Sequence, residues 1–181
     1  MCDDSKIIDL CRRGSQSGFA FLLQAYQERV YRRAYSFVRN REDALDITQE
    51  VFLRVICAIA RFEPDRPLWP WLRRITTNVS LNFLRRQPDL LSLDGPEAPA
   101  APAGGPDPAE AAAAAWNWDQ LQAAIARLPP LHRMAVILRH QEDLPYEEVA
   151  RLMDLPLGTV KTYLFRARHR LKEELTREGW Q

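Results

Sequence analysis

The chain has 181 residues, 46% of them hydrophobic, and a formal net charge of only +1. This length allows one domain of ordinary size or two small ones. No apolar run approaches the ~20 residues that a membrane span needs, and the acidic N-terminal stretch lacks the apolar segment of a signal peptide. We therefore expect a cytoplasmic protein.

The sequence offers little support for an enzyme or a metal centre. The three cysteines form no Cys-x-x-Cys pair and have no zinc-site spacing with His132, His140 or His169. No Gly-rich phosphate loop, His-Glu metal motif or Ser/His/Asp arrangement stands out. We expect no catalytic residue, no metal and no cofactor, and we expect the histidines to be exposed or half-buried.

Charge and composition divide the chain into three parts. Residues 1–86 carry a net charge of +5, residues 87–106 a charge of −3, and residues 107–181 a charge of −1. Residues 87–106 hold five prolines, three glycines and no basic residue, which is typical of a linker. We predict two domains, 1–86 and 107–181, joined by this acidic linker.

Apolar residues at helical spacing predict four helices in the first domain. The expected spans are 9–13, from Ser15 or Ser17 to 39, from Glu42 or Asp43 to 60, and 71–86. The third helix has an apolar stripe, with Leu45, Phe52 and Ile56 alongside it. Its other side is polar and includes Asp43, Asp46, Gln49 and Glu50.

The fourth predicted helix has an unusual polar surface without a single acid. This surface comprises Arg73, Arg74, Thr76, Thr77, Asn78, Ser80, Asn82, Arg85 and Arg86, and Trp71 stands at the helix start. Asn and Thr are poor residues for a helix interior, so helix formation alone does not explain this choice. Base-edge hydrogen bonding, phosphate contact and aromatic stacking are functions that these groups perform well.

The second predicted domain begins at Asp107 as a helix cap, followed by Pro108. Its first helix has an apolar stripe of Trp118, Leu121, Ile125 and Leu128 and ends at two prolines. A helix over 131–140 follows, with Met134, Ile137 and Leu138 directed inward.

Residues 144–171 have the pattern of a helix-turn-helix. A short helix over 146–153 is interrupted at Asp154 and Pro156, and a second helix runs over 157–174. Leu157, Val160, Leu164, Ala167 and Leu171 form its inward stripe. Two short helices joined by a tight turn, the second of them basic, are typical of duplex DNA binding.

The second of these helices is basic, with five Lys or Arg residues and no acid from Lys161 to Lys172. The residues near its start are placed to reach base edges: Thr159, Lys161, Thr162 and Tyr163. Arg166, Arg168 and Arg170 are better placed to meet phosphates. A solvated basic face on an ordinary helical hairpin is the plainer alternative.

Together these motifs resemble the extracytoplasmic-function (ECF) sigma factors, the smallest members of the sigma-70 family of bacterial transcription initiation factors. The resemblance covers nearly the whole chain in the family's order. It rests on three motifs. The first is Asp43-Ala44-x-Asp46-x-x-Gln49-Glu50-Val51-Phe52, and the second is Trp71-Leu72-x-x-Ile75-x-x-Asn78-x-x-x-Asn82-x-x-Arg85-Arg86. The third combines Leu128-Pro129 with Gly158-Thr159-Val160-Lys161-Thr162 through Arg166-Ala167-Arg168.

The resemblance implies a function and its residues. Core RNA polymerase would be bound, through the coiled coil of its beta-prime subunit, by Asp43, Asp46, Gln49 and Glu50. The beta subunit of the polymerase would be a further contact. The −10 promoter element would be melted and read by Phe62, Trp71, Arg74, Asn78, Asn82, Arg85 and Arg86. The −35 duplex would be read by Thr159, Lys161, Thr162, Tyr163, Arg166, Arg168 and Arg170. An anti-sigma factor is the expected regulator, and no small-molecule substrate is expected.

Two alternatives fit parts of the sequence. A stand-alone helix-turn-helix repressor or response-regulator-like binder explains the second domain equally well, but it does not explain the acid-free fourth helix. A protein-interaction adaptor built from two helical bundles is a weaker alternative.

Overall fold

The computed structural model describes residues 4–63, 66–87 and 118–177, and every regular element in these ranges is a helix. The chain divides into two compact units, Met1–Phe83 and Leu84–Gln181. The predicted all-α fold with two helical domains is confirmed. Nearly all of the predicted linker, and the predicted helix start at Asp107, lie outside the described residues.

The first unit is built mainly from four helices. They are α1 (Asp4–Arg12), α2 (Gln16–Val38), α3 (Arg41–Ala58) and α4 (Leu68–Arg85), with a 3-10 turn at Ile59–Arg61. Both α1 and α4 begin earlier than predicted. Ile7, Ile8 and Leu68 are fully buried, so the apolar contacts of these two helices extend toward their N-termini.

Local turn chemistry separates these helices. Gly14 has a φ of 70°, which glycine adopts without strain, and it ends α1. Arg39 takes a left-handed conformation after α2. The side chain of Asn40 then accepts hydrogen bonds from the amides of Glu42 (2.8 Å) and Asp43 (3.2 Å). Asn40 is therefore the cap of α3, which begins at Arg41, slightly earlier than the predicted start at Glu42 or Asp43.

The core of the first unit joins all four helices. It includes Ile7 and Ile8 from α1, Val30 from α2, Val51 from α3 and Leu72 from α4. Each of these side chains is fully buried, and burying one contributes roughly 1.5–3 kcal/mol. This core fixes the start of α4 against the first three helices.

The second unit contains α5 (Trp118–Arg127), α6 (Pro130–Val136), a π-helical turn (Ile137–Gln141), α7 (Tyr146–Met153) and α8 (Leu157–Arg177). Every residue of α6 is buried, including His132, which is 1% exposed. The expectation that all three histidines are exposed or half-buried is wrong for His132. Its ring lies against Tyr163 of α8, with centroids 4.8 Å apart.

The helix-turn-helix has the predicted form. The first helix, α7, has the predicted bounds, and Asp154 ends it in a left-handed conformation with φ 48°. The carbonyl of Pro156 accepts hydrogen bonds from Thr159 and Val160 and so starts α8. The helix α8 continues beyond residue 174 to Arg177, because Leu175 is also buried in the core.

Candidate nucleic-acid and protein interfaces

A cavity of about 560 Å³ lies in the first unit, between the end of α3, the turn after it and the start of α4. Its wall carries three exposed arginines, Arg61, Arg66 and Arg74, and one acid, Glu63, which forms an exposed ion pair with Arg66 at 2.7 Å. The aromatic residues Phe62 and Trp71 also contribute to the wall. Cationic groups beside aromatic rings suit a single-stranded nucleic acid, in which a base stacks and the phosphate is neutralised.

The two aromatic residues of this wall differ in exposure. Their ring centroids are 4.6 Å apart, but Phe62 is only 9% exposed and belongs to the hydrophobic core. Trp71 is partly buried and packs against the same core. Phe62 therefore supports Trp71 from beneath, and Trp71 offers more surface to a ligand.

Along α4, the predicted polar surface separates into exposed and buried parts. Arg74, Asn82 and Arg86 are exposed, whereas Asn78 and Arg85 are partly exposed. Thr76, Thr77 and Ser80 are buried. The hydroxyls of Thr76 and Thr77 donate to the carbonyls of Leu72 and Arg73, at 2.8 and 2.9 Å. Thr76, Thr77 and Ser80 therefore belong to the interior. The exposed polar face of α4 is narrower than the composition of the helix indicated.

A partly buried arginine lies beneath α4, which the sequence did not reveal. Arg33 of α2 donates from Nη2 to the hydroxyl of Thr77 at 2.8 Å, and its guanidinium lies 4.9 Å from the ring centroid of Phe37. Burial, followed by repulsion from Arg73, lowers the pKa of Arg33. Guanidinium remains charged at neutral pH, so Arg33 adds positive charge behind the helix that carries Arg74.

The outer face of α3 combines acidic and apolar groups. Asp46 and Gln49 are exposed, and Asp43 and Glu50 are partly exposed. Burial, together with the carboxylates of Asp46 and Glu42, raises the pKa of Asp43. Glu50 also forms an exposed ion pair with Arg54 one turn later, at 2.7 Å.

Three large apolar side chains share the exposed surface of α3. Leu45 is 41% exposed, Leu53 60% and Ile56 43%. The sequence placed Leu45, Phe52 and Ile56 together beside the core stripe, but only Phe52 is buried there. Exposed apolar residues among acids and amides have the composition of a protein-binding surface, with an apolar centre and a polar rim.

On α8, the residues predicted to contact duplex DNA fall into two groups. Lys161 and Arg170 are exposed, and Thr159, Thr162 and Arg166 are partly exposed. Phe165, which the sequence analysis missed, is 46% exposed one turn after Lys161. The sequence did carry an indication of this exposed residue, because Phe165 is an aromatic residue that lies outside the apolar core stripe of α8.

The other two predicted residues of α8 make contacts within the second unit. Tyr163 packs on the buried ring of His132. Arg168 donates from Nη2 to the hydroxyl of Tyr146 at 3.2 Å and from Nε to the carbonyl of Leu164 at 3.3 Å. In this conformation both residues hold α8 against the helices beside it, and their role in DNA binding stays a prediction.

Within residues 4–63, 66–87 and 118–177, no cluster of His, Cys, Asp or Glu side chains could hold a metal ion. None of the helices in the described part of the chain is long and apolar enough to cross a membrane. Cys11 and Cys57 are free thiols, and burial raises the pKa of Cys11.

Comparison with known proteins identifies the family. The sequence pattern of Sigma-70 region 2 matches residues 22–88, and that of Sigma-70, region 4 matches residues 118–171. The chain is 37% identical to the ECF RNA polymerase sigma factor SigE of Mycolicibacterium smegmatis, over 87% of this chain and 62% of that protein. It is 31% identical to the ECF RNA polymerase sigma-E factor of Escherichia coli, over 95% of this chain and 94% of that protein.

A solved structure with a similar fold is the sigma factor RpoE of Bartonella quintana, in complex with the anti-sigma factor NepR. It aligns over 87% of this chain and 96% of that chain, with a TM-score of 0.54 and 24% sequence identity. The chain belongs to the sigma-70 family of RNA polymerase sigma factors. Within that family it is an ECF sigma factor, a factor that directs RNA polymerase to promoters, as the motifs of α3, α4 and α8 indicated.

Proposed function

We propose that the outer face of α3 binds core RNA polymerase. The polar contacts come from Asp46, Gln49 and Glu50. The family resemblance implies that these residues bind the coiled coil of the beta-prime subunit. Leu45, Leu53 and Ile56 supply exposed apolar area among them. Burial of such area provides most of the affinity of a protein interface, while the polar groups set its partner and orientation.

The cavity beside α4 reads the −10 element in this proposal. A base of the melted non-template strand stacks at Trp71, and Arg61, Arg66 and Arg74 neutralise the phosphates around it. This surface continues along α4 with Asn78, Asn82, Arg85 and Arg86. The single observation that carries the proposal is this cationic, aromatic-walled cavity in a chain that also contains a helix-turn-helix.

The −35 element is read as duplex DNA by α8. Thr159, Lys161 and Thr162 lie in the first two turns, which a recognition helix inserts into the major groove. Phe165 is placed to contact a thymine methyl group, and Arg166 and Arg170 are placed to contact phosphates.

The arrangement of the chain follows from these assignments. Residues 1–86 and 107–181 act as separate DNA-reading domains, and the linker of 87–106 raises their joint affinity by holding both near one promoter. The protein acts in the cytoplasm, has no catalytic activity of its own and needs no cofactor. An anti-sigma factor that covers the α3 and α8 surfaces keeps it inactive.

A reconstitution with core polymerase tests these assignments separately. Replacing Asp46 and Glu50 by arginine should abolish co-purification with core polymerase. Arg74→Ala should leave co-purification intact but prevent promoter melting, measured by the reactivity of unpaired thymines to permanganate. Lys161→Ala should weaken binding of −35 duplex. Normal melting by the Arg74→Ala holoenzyme would overturn the assignment of the cavity.

A further inference from the structure

The N-terminal helix α1 meets the start of α4 at one carboxylate. Asp4, in the first turn of α1, accepts a hydrogen bond at Oδ1 from the hydroxyl of Tyr26 at 2.6 Å. Its Oδ2 lies 3.4 Å from the backbone nitrogen of Leu68, which donates to it. Three helices therefore meet at Asp4. The helix α1 precedes residue 22, where the match to Sigma-70 region 2 begins.

The Leu68 amide is one of the donors that the start of a helix leaves without a partner in its own backbone. Leu68 begins α4, and neither its own side chain nor that of Pro67 can accept a hydrogen bond. Asp4, which belongs to α1, supplies the missing acceptor and so caps the N-terminus of α4 from another helix. Its negative charge is also favourable beside the positive end of the α4 dipole.

Two features fix the position of the Asp4 carboxylate. Ile7, Ile8 and Cys11 of α1 are buried in the core, and Gly18 lets α1 lie directly against α2. A Cβ atom at Gly18 would lie 2.6 Å from Cβ of Leu10. The backbone of α1 therefore rests on α2 with no room for a side chain at that point, and this contact holds the helix that carries Asp4.

An aromatic stack connects Tyr26, which bonds Asp4, to Trp69 in the first turn of α4. The rings of Tyr26 and Trp69 are nearly parallel, with centroids 6.3 Å apart, and the guanidinium of Arg29 lies 4.1 Å from the Trp69 centroid. Burial, and then the hydrogen bond and charge of Asp4, raise the pKa of Tyr26. The hydroxyl therefore remains protonated and able to donate to Asp4. Trp69 is followed directly by Pro70 and Trp71, both in the cavity wall.

We propose that Asp4 is a positioning residue for the −10 site: it fixes where α4 begins and thereby sets Trp71 and Arg74 in the cavity wall. The inference rests on the proposed function of that cavity. It assigns a role in promoter reading to a helix outside the matched family region. Loss of the Asp4 contacts lets the first turn of α4 fray, and the wall then loses its fixed geometry.

The test compares Asp4→Ala with Asp9→Asn, which changes an exposed carboxylate on the same helix. Each full-length variant is reconstituted with core polymerase. Binding of a single-stranded −10 oligonucleotide and of a −35 duplex, both taken from promoters selected with the wild-type chain, is then measured. Hydrogen exchange of the Leu68 amide, followed by NMR on the free chain, reports the cap directly.

For Asp4→Ala we expect faster exchange at Leu68 and about a fivefold loss of −10 affinity, the scale of one hydrogen bond. The −35 affinity and co-purification should be unchanged. Asp4→Asn keeps one acceptor oxygen and can accept only one of the two hydrogen bonds, so it should restore part of the −10 affinity. Tyr26→Phe keeps the aromatic stack but removes the hydroxyl donor, and it should reproduce part of the loss without unfolding.

Several outcomes would overturn the inference. If the wild-type holoenzyme binds the −10 strand and Asp4→Ala binds it equally well, the inference alone fails. Equal losses at −10 and −35, accompanied by a lower melting temperature, would reduce Asp4 to a stabilising residue. If the wild-type holoenzyme does not bind the −10 strand, the proposed function of the cavity fails as well.

Discussion

Arg168 of the recognition helix α8 donates a hydrogen bond to the hydroxyl of Tyr146, at the start of α7, across 3.2 Å. A second arginine, Arg139, lies over the same tyrosine ring, 5.2 Å from its centroid. Basic charge on α8 therefore serves two purposes. Part of it faces outward, as at Arg170, and part of it ties together the two helices of the helix-turn-helix.

This difference predicts distinct effects for Arg168→Ala and Arg170→Ala. Arg168→Ala should lower the free energy of unfolding by about 1 kcal/mol, because a partly buried hydrogen bond is lost. Arg170→Ala should leave the melting temperature unchanged and reduce the salt dependence of −35 duplex binding by about one unit of slope. Thermal unfolding and duplex titrations at several salt concentrations measure both effects. Identical behaviour of the two variants would contradict this division.

Phe165 is predicted to contribute base-specific affinity. Phe165→Ala should weaken −35 duplex binding about tenfold, the scale of one lost base-pair contact. Because an apolar ring contacts a thymine methyl group, the loss should be confined to one or two positions of the element. Competition binding with duplexes that are varied at each position in turn measures how the loss is distributed along the element. A uniform loss at every position, as expected for Arg170→Ala, would show that Phe165 does not read a base.

The exposed apolar residues of α3 predict a sensitive site for polymerase binding. Leu53→Asp should weaken co-purification with core polymerase about tenfold or more, because a central apolar contact becomes a buried charge. Leu23 of α2, which is 38% exposed, provides a matched control. Leu23→Asp should bind core polymerase normally. Equal losses in the two variants would mean that α3 is not the specific contact.

Asp43 predicts a pH-dependent stability. Its raised pKa means that the folded chain binds this proton more tightly than the unfolded chain does, so the charged carboxylate opposes folding at neutral pH. That penalty is fully present above the folded-state pKa and is lost as the pH falls below the ordinary carboxyl pKa. Asp43→Asn should therefore raise the melting temperature at pH 7, and the gain should shrink on acidification. A gain independent of pH would contradict this account.

Much of the fold was predictable from the sequence, because helical periodicity records which face of each helix is buried. The bounds of α7 and the buried stripe of α8 from Val160 to Leu171 are examples. Most of the errors came from contacts between helices. Nothing local indicates that Asp4 caps α4 or that the apolar Leu45 remains exposed. The start of α3 is the exception, because Asn40 caps that helix through the nearby amides of Glu42 and Asp43.

The interfaces were predictable only in part, for the same reason. Composition located the polar surface of α4 and the acidic face of α3. It could not show that Thr76 and Thr77 are buried, that Phe62 lies beneath Trp71, or that Arg168 bonds Tyr146. These facts depend on side-chain packing between helices, which the periodicity of one helix does not record.

The most direct test of the central claim is transcription by core RNA polymerase with the purified chain on a library of randomised promoters. We predict that the chain binds core polymerase and that the transcribed templates share two sequence elements, one read as duplex and one melted. The double replacement of Asp46 and Glu50 by arginine should abolish both binding and transcription. Failure of the wild-type chain to bind core polymerase, with residues 107–181 still binding duplex DNA, would contradict the sigma-factor account.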